Sequence, residues 1–196
     1  MGPVQRHGKY ETLENIINWV LENGVERMKI YEICNSNVEN IAKLMAKIKP
    51  EFWSFEGALN QLSSGQGWYM GNDKYSPDGW ILCKEYRLYK VLEIECIGYS
   101  DDGKFDVSSS LNPLISHIEE WAMKNNLDKL RFIISSRGMS CHMRELDQIW
   151  KELRDLEAID REEFNWYLDL GFKPSGIIPN SYGRGFHGIE LILEIV

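Results

Sequence analysis

Residues 90–134 read KVLEIECIGYSDDGKFDVSSSLNPLISHIEEWAMKNNLDKLRFII, and this stretch decides the fold. Val91 to Ile97 is rich in β-formers and alternates. The alternation places Leu92, Ile94 and Cys96 on one face and Val91, Glu93, Glu95 and Ile97 on the other. Gly98 to Ser110 is a loop signal, with Asp101-Asp102-Gly103 followed by Ser108, Ser109 and Ser110. Leu111, Leu114, Ile115, Ile118 and Ala122 then recur at helical spacing, a stripe able to cover a sheet, and Asn125-Asn126 end the helix. Leu130 to Ile134 is short and apolar, with β-branched residues at its end, and reads as a buried strand. A strand, a crossover helix and a strand predict two parallel strands with the helix packed on one face. The loop after the first strand feeds the helix N-terminus, where free N–H groups can hold an anion.

Working outward, Leu13, Ile16, Ile17, Val20 and Leu21 predict a helix over 12–23, closed by Gly24. Met28 to Ile33 alternates as a strand. Ser36-x-x-Glu39 has the form of a capping box for a helix carrying Val38, Ile41, Leu44, Met45 and Ile48, and Pro50 stops it. A second helix is expected over 51–62, and strands over 68–70 and 80–84, with Asp78-Gly79 turning between them. Downstream, Met143, Leu146, Ile149, Trp150, Leu153 and Leu156 predict a long helix over about 141–157. Asp160-x-x-Glu163 predicts the start of another, ending at Leu170 with Gly171 as its cap, and strands 172–178 and 188–196 close the chain. The expected fold class is α/β, a mixed twisted sheet with helices on both faces. One globular unit is expected, with a domain over 28–196 and an N-terminal extension over 1–27 holding one helix.

Composition narrows the function. The 196 residues are 43% hydrophobic and 27% charged, as in an ordinary globular chain. A net charge of −8 with no Lys/Arg cluster argues against nucleic acid and anionic membranes as partners. No apolar run approaches the ~20 residues of a membrane span. The N-terminus, with Arg6, His7 and Lys9, lacks a signal-peptide core, so a cytoplasmic location is expected. Cys34, Cys83, Cys96 and Cys141 show no C-x-x-C spacing and read as reduced, mostly buried thiols. The four histidines lie far apart, so no metal site is expected.

Two strings add to the element order: Tyr167-Leu-Asp-Leu-Gly-Phe172, and His117-Ile-Glu-Glu-Trp-Ala-Met-Lys-Asn-Asn126. Together with that order they resemble the GNAT acetyltransferase superfamily over about Met28 to Val196. In GNAT proteins a helix commonly ends in Tyr-x-x-Leu-Gly-Phe before the penultimate strand. The resemblance implies the GNAT-like acyl-CoA N-acyltransferase fold, with acetyl-CoA as cosubstrate and a small amine or peptide amine as acceptor, acetylated by direct attack. It leaves a homodimer open. It implies that Ile97, Gly98, Tyr99, Val107, Ser108, Ser109, Ser110 and Leu111 contact the cofactor. Tyr167 would protonate the leaving thiolate; the bland alternative is a core tyrosine.

The chain departs from the family in one place. GNAT proteins usually carry Arg/Gln-x-x-Gly-x-Gly/Ala before the central helix, and those positions here are Asp106, Ser109 and Leu111. Asp101, Asp102 and Asp106 surround the site, with Lys104 as the local cation. A carboxylate within several Å of a phosphate costs roughly 1 kcal/mol or more at a surface-like dielectric. The alternative is therefore a GNAT-fold binding or structural module that has lost coenzyme A. The helix near 141–157 is also an insertion relative to the family.

Other residues carry candidate chemistry. Acetyl transfer to an amine needs a base, and Glu95 and Glu93 share a face of a central strand, Glu95 nearer its C-terminal end, where α/β sites gather. A solvated or ion-paired face is the alternative. Cys141-His142 would not act as a dyad, because adjacent helical residues point about 100° apart; His117 and His187 are other partners to consider. Phe52, Trp53, Phe55, Trp68 and Tyr69 read mostly as core, with some rings lining an acceptor cleft. The loop from Asn180 to His187 either borders that cleft or is a plain hairpin connection.

Overall fold

The computed structural model describes residues 28–100 and 107–195, and of residues 107–110 the backbone alone. The helix expected over 12–23, and Asp101, Asp102, Lys104 and Asp106, lie outside the described residues. In chain order the elements are β1 (Lys29–Glu32), α1 (Val38–Ile48), α2 (Phe55–Leu62), β2 (Gln66–Gly71), β3 (Pro77–Tyr86), β4 (Val91–Tyr99), α3 (Val107–Lys124), β5 (Lys129–Ser135), α4 (Ile149–Arg154), α5 (Glu162–Asp169), β6 (Lys173–Ile178) and β7 (Gly188–Glu194). The strands form one sheet in the order β1-β2-β3-β4-β5-β7-β6. β4 and β5 are parallel, from Val91↔Lys129 to Ile94↔Phe132, and the other pairings are antiparallel. This is the mixed α/β sheet expected from the strand–helix–strand unit.

The helices cover both faces. Leu111, Leu114, Ile115, Ile118 and Ala122 of α3 are buried against Ile81, Cys83, Leu92 and Ile94. Each large side chain buried this way contributes about 1.5–3 kcal/mol. On this face α5 adds Phe164 and Tyr167, and Trp166 Nε1 donates to Asn112 Oδ1 of α3 at 2.7 Å. On the opposite face, α1 and α2 set Ile41, Ala42, Met45, Ala58 and Leu62 against Tyr69, Trp80 and Leu82.

One irregularity breaks the expected alternation. Leu82 pairs with Cys96 and Cys83 with Ile94, so Glu95 is an extra residue in β4, a β-bulge. Parity inverts there. Cys96 does not share a face with Leu92 and Ile94. It faces α1 and α2, where Trp80 Nε1 donates to its Sγ at 3.1 Å. Ile97 moves to the α3 face. Burial pushes the Cys96 thiol up to about 11.

Other expectations shift at their edges. β4 runs to Tyr99 and α3 begins at Val107, so the loop between them is shorter than 98–110. Neither capping box forms. Asn37, not Ser36, is the residue before α1, and it stitches the chain instead: its Oδ1 accepts from Cys34 N–H at 2.8 Å and its Nδ2 donates to Glu32 O at 3.0 Å. Arg161 precedes α5 without a side-chain cap. α2 starts at Phe55, where Ser54 Oγ accepts from Gly57 N–H at 3.0 Å. On α5, Leu168 is exposed and Tyr167 is buried.

The long helix over 141–157 is reduced to α4. Met143 is left-handed (φ 58°) and its N–H donates to Gly185 O, so a helix cannot pass through it. Met139 bridges Ala158, and Arg144 holds Glu152 with both terminal nitrogens, at 3.0 and 2.9 Å, which folds the segment on itself.

Gly98 is required by packing. A Cβ there would lie 2.4 Å from the Trp80 ring, which is itself 1% exposed. Gly98→Ala should therefore cost about 1–3 kcal/mol, the usual scale of overpacking. A urea midpoint equal to wild type would show that Trp80 can yield.

Candidate functional site

The β4–β5 ladder stops at Ile94↔Phe132, although β4 continues to Tyr99 and β5 to Ser135. The cause is local. The bulge at Glu95 bends β4, while β5 stays bound on its other edge to β7 as far as Ser135↔Gly188 and cannot follow. The strands part, and the gap holds two cavities. The larger, about 850 Å³, opens on the α1/α2 side and is lined by Phe52, Trp53, Glu95, Ser135 and Tyr182 among others. The smaller, about 140 Å³, is lined by Ile97, Gly98, Tyr99, Leu111 and Tyr167. Lys49, Ile97, Phe132, Arg161 and Glu163 border both.

The two carboxylates of β4 have separate surroundings. Glu93 is ion-paired with Arg131, which lies 3.9 Å from Glu190 and over the Tyr86 ring, and Glu93 lines neither cavity. Glu95 faces the larger cavity, where Gln61 Nε2 donates to its Oε2 at 3.2 Å.

Tyr167 is 6% exposed and packs edge-on against Phe132, with ring centroids 5.4 Å apart. Burial pushes its phenol well above the ordinary tyrosine range; Glu163 adds to the rise and Arg161 opposes it. The phenol therefore holds its proton more tightly than a free tyrosine does. Among the described residues the hydroxyl has no hydrogen-bond partner.

Of the other residues expected at the cofactor, Ile97, Gly98, Tyr99 and Leu111 line the smaller cavity. Val107 to Ser110 form the first turn of α3, whose opening N–H groups have no helical acceptor. Leu111 lies beyond that turn, with its N–H inside the helical ladder.

The alternative chemistries are not assembled. Cys141 is fully buried, which raises its thiol pKa, and His142 Nδ1 instead meets Ser136 Oγ at 3.2 Å. His187 accepts from Asn180 N–H at Nδ1 (3.1 Å), so its proton sits on Nε2 and is donated to Arg144 O at 3.0 Å. His117 packs edge-on against Trp68, and burial lowers its pKa. Among the described residues no group of His, Cys, Asp and Glu is placed to hold a metal ion, and no helix is long and apolar enough to cross a membrane.

Of the aromatic group, Trp68 and Tyr69 are core while Phe52 and Trp53 line the larger cavity. The Asn180–His187 loop does border it, through Tyr182 and Phe186, and Tyr182 OH donates to Ile133 O at 2.9 Å. Sequence reasoning missed Lys49, Arg137 and Arg161. The only signal was the position of Arg137, just past the C-terminal end of a parallel strand.

No family model matches the sequence, and no curated protein matches it. Solved structures do. An aminoglycoside 6'-N-acetyltransferase from Enterococcus faecium superposes with a TM-score of 0.73 at 15% identity, over 86% of this chain and 98% of that one. An aminoglycoside 6'-N-acetyltransferase complexed with coenzyme A gives the same values, 0.73 and 15%, over 86% and 98%. A protein from Desulfovibrio desulfuricans assigned to the GNAT family gives 0.62 at 11% identity, over 86% and 99%. At these identities the likeness is one of fold, and the fold is GNAT-like.

The surroundings of Glu93 and Glu95 predict different losses. Glu93→Gln leaves the half-buried Arg131 without its main counter-charge and should lower stability by about 1–3 kcal/mol. Glu95→Gln, which can still meet Gln61, should stay within about 0.5 kcal/mol of wild type. Equal losses in urea denaturation would overturn this division between a structural and a cavity-facing carboxylate.

Proposed function

We propose that the protein is an acetyl-CoA-dependent N-acetyltransferase acting on a small amine or peptide amine, with the reaction centred in the gap beyond Ile94 and Phe132. One observation carries it. Glu95 lines one cavity, Tyr167 lines the other, and both cavities border Ile97 and Phe132. A proton acceptor and a proton donor thus flank one gap in the sheet.

The gap suits coenzyme A. From Glu95 to Gly98, β4 has no strand partner on its β5 side among the described residues, so this edge suits an amide-bearing arm, as in strand addition. The first turn of α3 offers free N–H groups to phosphates. A protein of the same fold has been seen with coenzyme A bound.

Acetyl-CoA supplies an acetyl group activated as a thioester. Glu95 takes a proton from the acceptor's ammonium, directly or through one water, so that a neutral amine attacks the carbonyl. Tyr167 gives its proton to the sulfur as the carbon–sulfur bond breaks, and the second proton, which the nitrogen loses on becoming an amide, restores the phenol. Its raised pKa makes the phenol a weaker acid, but a thiolate expelled beside the same buried ring would be a stronger base for the same reason.

Two measurements test this. Acetyl-CoA at 100 times its Kd should stabilise the protein by ~2.7 kcal/mol. No thermal shift, with no acetylation across a broad amine panel, would favour the module that has lost coenzyme A. Tyr167→Phe keeps the ring and loses only an unbonded hydroxyl. Its kcat should fall ~10²-fold while Tm and coenzyme A affinity hold. Full kcat in the variant would make Tyr167 a packing residue.

A further inference from the structure

The larger cavity carries charge that acetyl transfer does not use. Lys49, Arg137 and Arg161 line it. Of the other described arginines, Arg87, Arg131, Arg144 and Arg154 each hydrogen-bond a carboxylate, and Arg184, which lines a different cavity, does not. Nor do Arg137 and Arg161. Arg137 is exposed at the end of β5, and among the described residues its side chain has no hydrogen bond or ion pair. Arg161 is mostly buried and held in place: its Nη1 donates to Ser135 O and, at 3.3 Å, to Arg137 O. Its Nε is buried without a hydrogen-bond partner, and the carboxylate it meets, that of Glu163, is 3.6 Å away. Glu51, Glu95 and Asp160 also line the cavity, but none of them is within ion-pair distance of either arginine.

We propose that Arg137 and Arg161 form a subsite for a carboxylate on the acceptor. The acceptor is then amino-acid-like, bearing both an amine and a carboxylate, with an aromatic or apolar body against Phe52, Trp53, Tyr182 and Phe186. This rests on the acetyltransferase reading. A guanidinium already fixed by two carbonyls gives up little freedom when it meets a planar carboxylate. The amine end lies towards Glu95, across the cavity from β5. The phosphates of coenzyme A are the competing anion, since Arg161 borders the smaller cavity too. The acceptor is favoured because Arg137 lines only the larger cavity, and α3, with its free N–H groups, packs on the other face of the sheet.

The test is a binding one and does not need turnover. N-acetyl-L-phenylalanine and N-(2-phenylethyl)acetamide differ only in the carboxylate. Calorimetric titration of the full chain should show the acid binding at least about tenfold more tightly. Arg137→Gln, at an exposed site, should remove most of that preference and leave acetyl-CoA affinity as it was. Equal affinities, no binding of either compound, or a preference unchanged in Arg137→Gln would each overturn the proposal. So would a loss of acetyl-CoA affinity in the variant with the preference intact, which would assign the arginine to the phosphates. Acetyl-CoA stabilisation of the wild type tells these failures from failure of the acetyltransferase reading itself.

Discussion

β4 carries one residue more than β3 can pair. That single insertion at Glu95 bends the strand, inverts its parity and ends its contact with β5. A sheet continuous through this point would bury its backbone groups in a ladder and leave no opening. β7 completes the device by holding β5 straight to Ser135. The bulge is tolerated because the face it disturbs is filled: Trp80 lies over Gly98 and bonds the Cys96 sulfur, so the bent segment stays packed.

The same bulge separates two carboxylates that sit two residues apart. Glu93 lies in the regular part of the strand, beside Arg131 on β5, and closes an ion pair. Glu95 lies where the strands part, with an amide for company and a cavity in front. Their different surroundings follow from where the parallel ladder ends. Tyr167 completes the opposite wall because α5 turns its buried side to Phe132 and Phe172, and Gly171, left-handed at φ 93°, stops the helix directly after it.

The segment from Gly138 to Ala158 and the Asn180–His187 loop support the far side of the cavity together. Met143 N–H bonds Gly185 O, His187 bonds Arg144 O, and Ser136 bonds both His142 and His187. Buried polar groups are satisfied across two stretches distant in sequence. The loop that presents Tyr182 and Phe186 is thereby positioned by the segment from Gly138 to Ala158.

The sequence by itself determined the order of the elements, the parallel pair around a covering helix, and the Tyr-Leu-Asp-Leu-Gly-Phe helix end. These are legible because they rest on local periodicity and on glycine at a helix terminus. Glu95 and Tyr167 were legible as candidates for the same reason, each by its place on an element. Only the tertiary structure decided that Cys96 turns away from Ile94, since alternation assumes a regular strand and one extra residue reverses it. It also decided that Ser36 and Asp160 cap nothing, that Met143 breaks the expected helix, and that Glu93 is paired. Lys49, Arg137 and Arg161 come from three separate segments. No spacing along the chain encodes their meeting, because cavity walls are set by how elements pack and not by the order in which residues follow one another.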